Sequence, residues 1–120
     1  MDDWKTPGWL MRLFSSYYDP CPLNGTGGLE AEWGGGASEP VFVNPPYSNP
    51  LPWVLKAVQE HRRGKTVVLL LKLDCSTRWY RELASAGAHI IFINERLHFS
   101  DSDAANFPSM LAILSMSDDL

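Results

Sequence analysis

Residues 66–71, Thr66-Val67-Val68-Leu69-Leu70-Leu71, constrain this chain more than any other stretch. Side chains alternate between the two faces of a strand, so an unbroken apolar run must be covered on both sides. That is the mark of a central strand in a parallel sheet, with helices above and below. A shorter run, Val41-Phe42-Val43, leads straight into Asn44-Pro45-Pro46-Tyr47. Neither proline can continue a sheet or sit inside a helix, so the chain leaves the sheet there in a rigid turn. Asn44 and Tyr47 are thereby presented at the carboxyl end of a strand, where open α/β sheets place their ligands.

The remaining punctuation gives the order of elements. Ser48 or Asn49 is placed to cap a helix running to about Arg63, with Gly64 as its terminator. Thr77 and Trp79 open a second helix, residues 76–86, ended by Gly87. His89 to Ile93 reads as a strand, Arg96-Leu97-His98-Phe99 as a short alternating one, and Met110 to Leu114 as the last. Strand, helix, strand, helix, strand, strand predicts an α/β sheet, mostly parallel, ending in an antiparallel pair, with helices on both faces. Upstream, Thr6 and Pro7 suit the N-cap and first position of an amphipathic helix, residues 7–17, with Leu10, Leu13, Phe14 and Tyr17 at helical spacing. Asp19-Pro20 is a turn former. Residues 29–40 form a glycine-rich connection in which Glu30 or Glu32 is within reach of a ligand's hydroxyls.

The strand-end cluster has a definite chemistry. An Asn side-chain oxygen and a nearby backbone carbonyl are two acceptors a few ångströms apart. They match the two donors of a planar amine, such as the exocyclic amine of adenine. An aromatic ring two residues on can stack against the plane that carries the amine. Two acceptors drawing on its hydrogens make the nitrogen more nucleophilic and hold it in line with an electrophile.

On these residues the chain resembles the S-adenosylmethionine-dependent amino-methyltransferases. From about Trp4 to about Leu114 it resembles the phage-type DNA N-6-adenine methyltransferase (Dam-like) family. The matching pieces are Trp4-x-Thr6-Pro7, Asp19-Pro20-Cys21, Asn44-Pro45-Pro46-Tyr47, Thr77-x-Trp79, Arg96-Leu97-x-Phe99 and Phe107-Pro108-Ser109. Lys72 stands where the family usually has proline. The resemblance implies a reduced Rossmann-like class I methyltransferase fold. It implies catalysis by Asn44, Pro45, Pro46 and Tyr47, and a cofactor site of Trp4, Thr6, Pro7, Asp19, Cys21 and Asn44. Asp19 would pair with the amino group of the cofactor's methionine moiety. Tyr47, Arg96, Phe99 and Phe107 would meet the target base. The cofactor crevice is expected between the strands ending near Asp19 and Asn44. Trp33 is expected under the catalytic strand or beside the cofactor's adenine.

Composition limits the alternatives. A chain of 120 residues is one domain, spanning 1–120. At 45% hydrophobic it has the material for a real core. A net charge of −4 is adverse for a nucleic-acid binder, because phosphate neutralisation drives that binding. The compact basic group Lys56, His61, Arg62, Arg63 and Lys65 is either a complement to a helix C-terminus or a phosphate patch. Lys72 and Asp74 either line the cleft or are ordinary loop polarity. Cys21 and Cys75 fit no metal or redox spacing and read as free thiols of a reducing cytoplasm. The acidic start is not a signal peptide, and no apolar run is long enough to span a membrane.

The expected activity is therefore methyl transfer from S-adenosylmethionine to adenine N6 in DNA, on a base taken out of the stack. Two other classes fit the same motif. One is an amino-methyltransferase acting on a protein glutamine. The other is a non-catalytic or partner-dependent accessory subunit, which the acidic charge and shortened cofactor half favour. A homodimer that completes the site is a further expectation.

Overall fold

The computed structural model describes residues 8–20, 28–29, 33, 39–93 and 108–115. In chain order they form α1 (Gly8–Leu13), β1 (Val41–Val43), α2 (Leu51–Arg62), β2 (Val67–Lys72), α3 (Arg78–Ser85), β3 (His89–Ile93) and β4 (Ser109–Leu114). The strands make one sheet in the order β1-β2-β4-β3. β1 and β2 pair in parallel, with Val41 opposite Val67. β4 is antiparallel to both its neighbours, with Ser109 opposite Lys72 on one side and Ile93 on the other. At the far edge Tyr18 bridges to Val41 in parallel. Its N–H donates to the Pro40 carbonyl at 3.0 Å, and its carbonyl accepts from Phe42 at 2.9 Å.

The sheet does end in an antiparallel pair, β4 and β3, but the expectation that it is mostly parallel needs correction. Three strands do run one way, but β4 is inserted between β2 and β3, so among the described strands one pairing is parallel and two are antiparallel. The apolar run of β2 is indeed central, flanked on both edges and buried from Val67 to Leu71. β3 lies at the edge, and Ile91 and Phe92 are exposed there.

Alternation along the strands sorts the core into two layers. Val41, Val43, Val67, Leu69, Leu71, Met110, Ala112 and Leu114 face α2 and α3, meeting Val54, Ala57, Val58, Trp79 and Leu83. Phe42, Val68, Leu70 and Leu111 face the other way, against Leu10 of α1. Phe14 stacks on Phe42 there, with ring centroids 4.8 Å apart. Helices thus cover both faces. Each fully buried aliphatic side chain contributes about 1.5–3 kcal/mol. No helix of the described residues is long and apolar enough to cross a membrane.

Local signals mostly act as read. Thr77 caps α3, its hydroxyl accepting from the Tyr80 N–H at 3.2 Å. Gly64 and Gly87 terminate α2 and α3 with φ of 103° and 81°, a region that favours glycine. Two boundaries differ. The cap of α2 is Pro50 with no side-chain cap bond, not Ser48 or Asn49. Pro52 occupies the second helical position and has no N–H for such a cap to receive. α1 is shorter than residues 7–17, giving way to turns at 14–16 in which Tyr17 donates to the Phe14 carbonyl at 3.0 Å.

Candidate active site

β1 is only three residues long, and its last residue hands the chain directly to Asn44. Pro45 is buried, and among the described residues no backbone N–H donates to its carbonyl. Pro46 is half-buried, and its carbonyl accepts from the Asn49 N–H at 3.3 Å, closing a turn at Tyr47-Ser48 before α2 begins. The turn folds the Tyr47 ring back onto the face built by Phe42, Leu70, Leu111 and Leu10. Asn44 Oδ1 and the Tyr47 hydroxyl are both shut away from solvent. Burial pushes the Tyr47 phenol well above its ordinary range, so it stays neutral at physiological pH.

The second wall comes from the segment beside β1. Tyr18 lies against Val41, and half-buried Asp19 is the next residue along, on the same edge as Asn44. Pro20 is buried, and its carbonyl sits against Gly28, where an added Cβ would lie 2.1 Å from it. The same Cβ would lie 2.6 Å from the ring of Trp53, in the first turn of α2. Trp33 ties this corner down. Its indole N–H donates to the Gly28 carbonyl at 2.7 Å, and its ring stacks on Trp53 with centroids 6.3 Å apart. Trp33 is fully buried in the cluster that also holds Val41 and Val43 of β1. The structure thus brings together Asp19, Asn44, Pro45, Pro46 and Tyr47. Trp4, Thr6, Pro7, Cys21, Arg96, Phe99 and Phe107 lie outside the described residues, as do Glu30 and Glu32.

The other open assignments are now decided by geometry. α2 starts at the carboxyl end of β1 and returns to the amino end of β2, so its basic C-terminus is on the opposite edge from Asn44. There Arg63 pairs with Glu60 at 3.1 Å, and His61 Nδ1 contacts the Lys65 carbonyl at 3.1 Å. Lys65 is buried, its ammonium donating to the Trp33 carbonyl. His61, Arg63 and Lys65 thus hold the end of α2, on the edge away from Asn44. Asp74 holds a turn: its carboxylate accepts from the Ser76 hydroxyl at 2.6 Å and N–H at 3.1 Å. Those bonds, helped by Lys72, hold it below the usual carboxylate range. Lys72 is exposed at the end of β2, on the Asn44 edge. Cys75 is exposed and free.

Two residues escaped the sequence reading. Gly28 was one glycine among several, and only the approach of Pro20 and Trp53 singles it out. Ser109 opens β4, and its hydroxyl is fully buried with no hydrogen-bond partner among the described residues, an arrangement that costs about 1–3 kcal/mol. No periodicity marks a serine of that kind.

Fold and site together define an α/β domain in which an acid, an amide and an aromatic ring stand at the carboxyl edge of the sheet. The profile of the DNA N-6-adenine-methyltransferase (Dam) family matches residues 23–115. A DNA N-6-adenine-methyltransferase of Haemophilus phage HP1 is 33% identical over 137 aligned positions, which take in 93% of this chain and 78% of that protein. Another, from Escherichia phage T1, is 36% identical over 69 positions, 58% of this chain and 28% of that protein. No solved structure matches the chain. The chain belongs to the DNA N-6-adenine-methyltransferase (Dam) family, a family of adenine-specific DNA methyltransferases.

Proposed function

We propose that this domain moves a methyl group from S-adenosylmethionine to the exocyclic amine of an adenine turned out of DNA, on a reduced Rossmann-like scaffold. The observation that carries the proposal is the position of Asn44-Pro45-Pro46-Tyr47 at the carboxyl end of a parallel strand, in a chain of this family. The β1–α2–β2 crossover and the cover of helices on both faces support the scaffold.

The residues of the crevice fit such a cofactor. Asp19 offers a carboxylate at a strand end for an ammonium group. The corner of Pro20, Gly28 and Trp53 is too tight for a Cβ, which fixes the segment after Asp19 against the start of α2. When bound, S-adenosylmethionine supplies an activated methyl on a positively charged sulfur. The chain's own part is orientation. Asn44 Oδ1 and the Pro45 carbonyl accept the two amine hydrogens of adenine and raise electron density on N6. Neutral Tyr47 stacks on the base and keeps it out of the helix. The proton that N6 would shed on methylation would pass to water, because Asn44 Oδ1 and the Pro45 carbonyl are neutral acceptors that orient the amine and are not bases.

A second reading, a domain that needs a partner to act on DNA, is favoured by one observation. The net charge is −4, and the compact basic group lies on the edge away from Asn44. Methyl transfer separates the two. The pure protein, mixed-sequence DNA and isotopically labelled S-adenosylmethionine should give labelled N6-methyladenine on digestion and mass spectrometry. Asn44→Ala should lower kcat by about 10²–10³, the usual cost of one preorganised hydrogen-bonding group. No product from folded, cofactor-binding protein would favour the partner-dependent reading, and full activity in Asn44→Ala would overturn the mechanism.

A further inference from the structure

Because β4 runs against its neighbours, its first residue, Ser109, stands at the edge where β1, β2 and β3 end. Ser109 is opposite both Lys72 and Ile93. Residues two apart on a strand share a face, so its side chain projects to the side of Leu111. Leu111 belongs to the layer on which the Tyr47 ring rests. The hydroxyl is fully buried and, among the described residues, gives and receives no hydrogen bond. A hydroxyl in that state is a group prepared for a partner that binds. Only β2 separates β4 from β1. Strand spacing therefore places Ser109 about 10 Å across from the strand that ends in Asn44. Ser109 also stands two residues further along than the level of Asn44, because Val43 is opposite Leu69 and Ser109 is opposite Lys72.

We propose that Ser109 is a substrate-positioning residue whose hydroxyl donates a hydrogen bond to a ring nitrogen of the target adenine, opposite the amine held by Asn44. This rests on the methyl-transfer function proposed above.

The test uses wild type, Ser109→Ala and Ser109→Cys on ordinary DNA and on DNAs carrying 1-deaza-, 3-deaza- or 7-deazaadenine. On ordinary DNA, Ser109→Ala should lose about tenfold in kcat/KM, mostly through KM, with Tm unchanged or raised. Ser109→Cys, a weaker donor of similar size, should fall between. On one deaza-DNA the wild type should suffer the same loss, and Ser109→Ala should lose nothing more. A fallen Tm with unchanged kcat/KM per folded molecule would make the hydroxyl structural and overturn the proposal. An equal additional loss on all three deaza-DNAs would overturn it as well. Absence of labelled N6-methyladenine from the wild type would instead overturn the methyl-transfer function itself, and this role with it.

Discussion

Glu60 and Lys65, on either side of the end of α2, grip the two backbone polar groups of one distant residue. The Glu60 carboxylate accepts the Trp33 N–H at 3.0 Å, and the Lys65 ammonium donates to the Trp33 carbonyl. Both charged residues are buried. Side chains here do what a neighbouring strand would do, supplying a donor and an acceptor to an isolated stretch of backbone. Trp33 then fixes Gly28 and Trp53 against each other at the start of α2.

Loss of either half of this clasp should therefore be costly. Removing one member of a buried charged network costs about 3–5 kcal/mol, and the exposed partner Arg63 puts Glu60→Ala at the lower end of that range. Lys65→Met should cost about 1–3 kcal/mol by leaving the Trp33 carbonyl without its donor. Because both act on Trp33, the double variant should be less damaged than the sum, by about 0.5–3 kcal/mol. Denaturant unfolding of the four proteins measures this; strict additivity would show that the two charges act independently.

Gly28 and Gly8 make a matched pair. A methyl at Gly28 collides with the Pro20 carbonyl and Trp53, whereas at Gly8 nothing lies within 4 Å. Gly28→Ala should destabilise by about 1–3 kcal/mol and weaken binding of S-adenosylmethionine in calorimetry. Gly8→Ala, in α1, should be neutral or stabilising by up to about 1 kcal/mol.

Tyr47 carries a pH signature. Its folded phenol is raised by burial, whereas the unfolded phenol ionises near 10. The stability it contributes is complete below about pH 10 and drains away as pH climbs above that value toward the folded one. Tyr47→Phe should flatten this alkaline decline and keep the ring. Tyr47→Ala should lose about 1–3 kcal/mol of base stacking, read as a rise in KM for DNA. An alkaline melting profile identical in wild type and Tyr47→Phe would contradict the assignment.

The two edges of the sheet should differ in their response to salt. Lys72 sits on the Asn44 edge and Arg62 on the other. Lys72→Ala should weaken DNA binding and lower the slope of log K against log salt by about 1. Arg62→Ala should change neither. Equal effects of both would place the DNA on a different surface.

Much of this fold was legible because local rules decided it. The apolar run of β2, the glycines at 64 and 87 and the hydroxyl of Thr77 each act within a few residues of themselves. Asn44-Pro45-Pro46-Tyr47 was legible for the same reason, since two prolines dictate where a strand must stop. The insertion of β4 was not, because periodicity tells which residues share a face but not which strand lies next door. His89 to Ile93 reads as a strand, but its place at an edge, with Ile91 and Phe92 exposed, is not in its pattern. Lys65 looked like a surface charge at a helix end. Its burial depends on Trp33, 32 residues earlier, and no local pattern carries that information.

The antiparallel course of β4 also bears on how such a domain can diversify. β3 ends and β4 begins at one edge, so the connection between Ile93 and Pro108 is anchored at both ends beside the crevice. The free-energy cost of closing a connection grows only logarithmically with its length. Chain inserted there to recognise DNA would leave the pairing of β1 with β2 untouched.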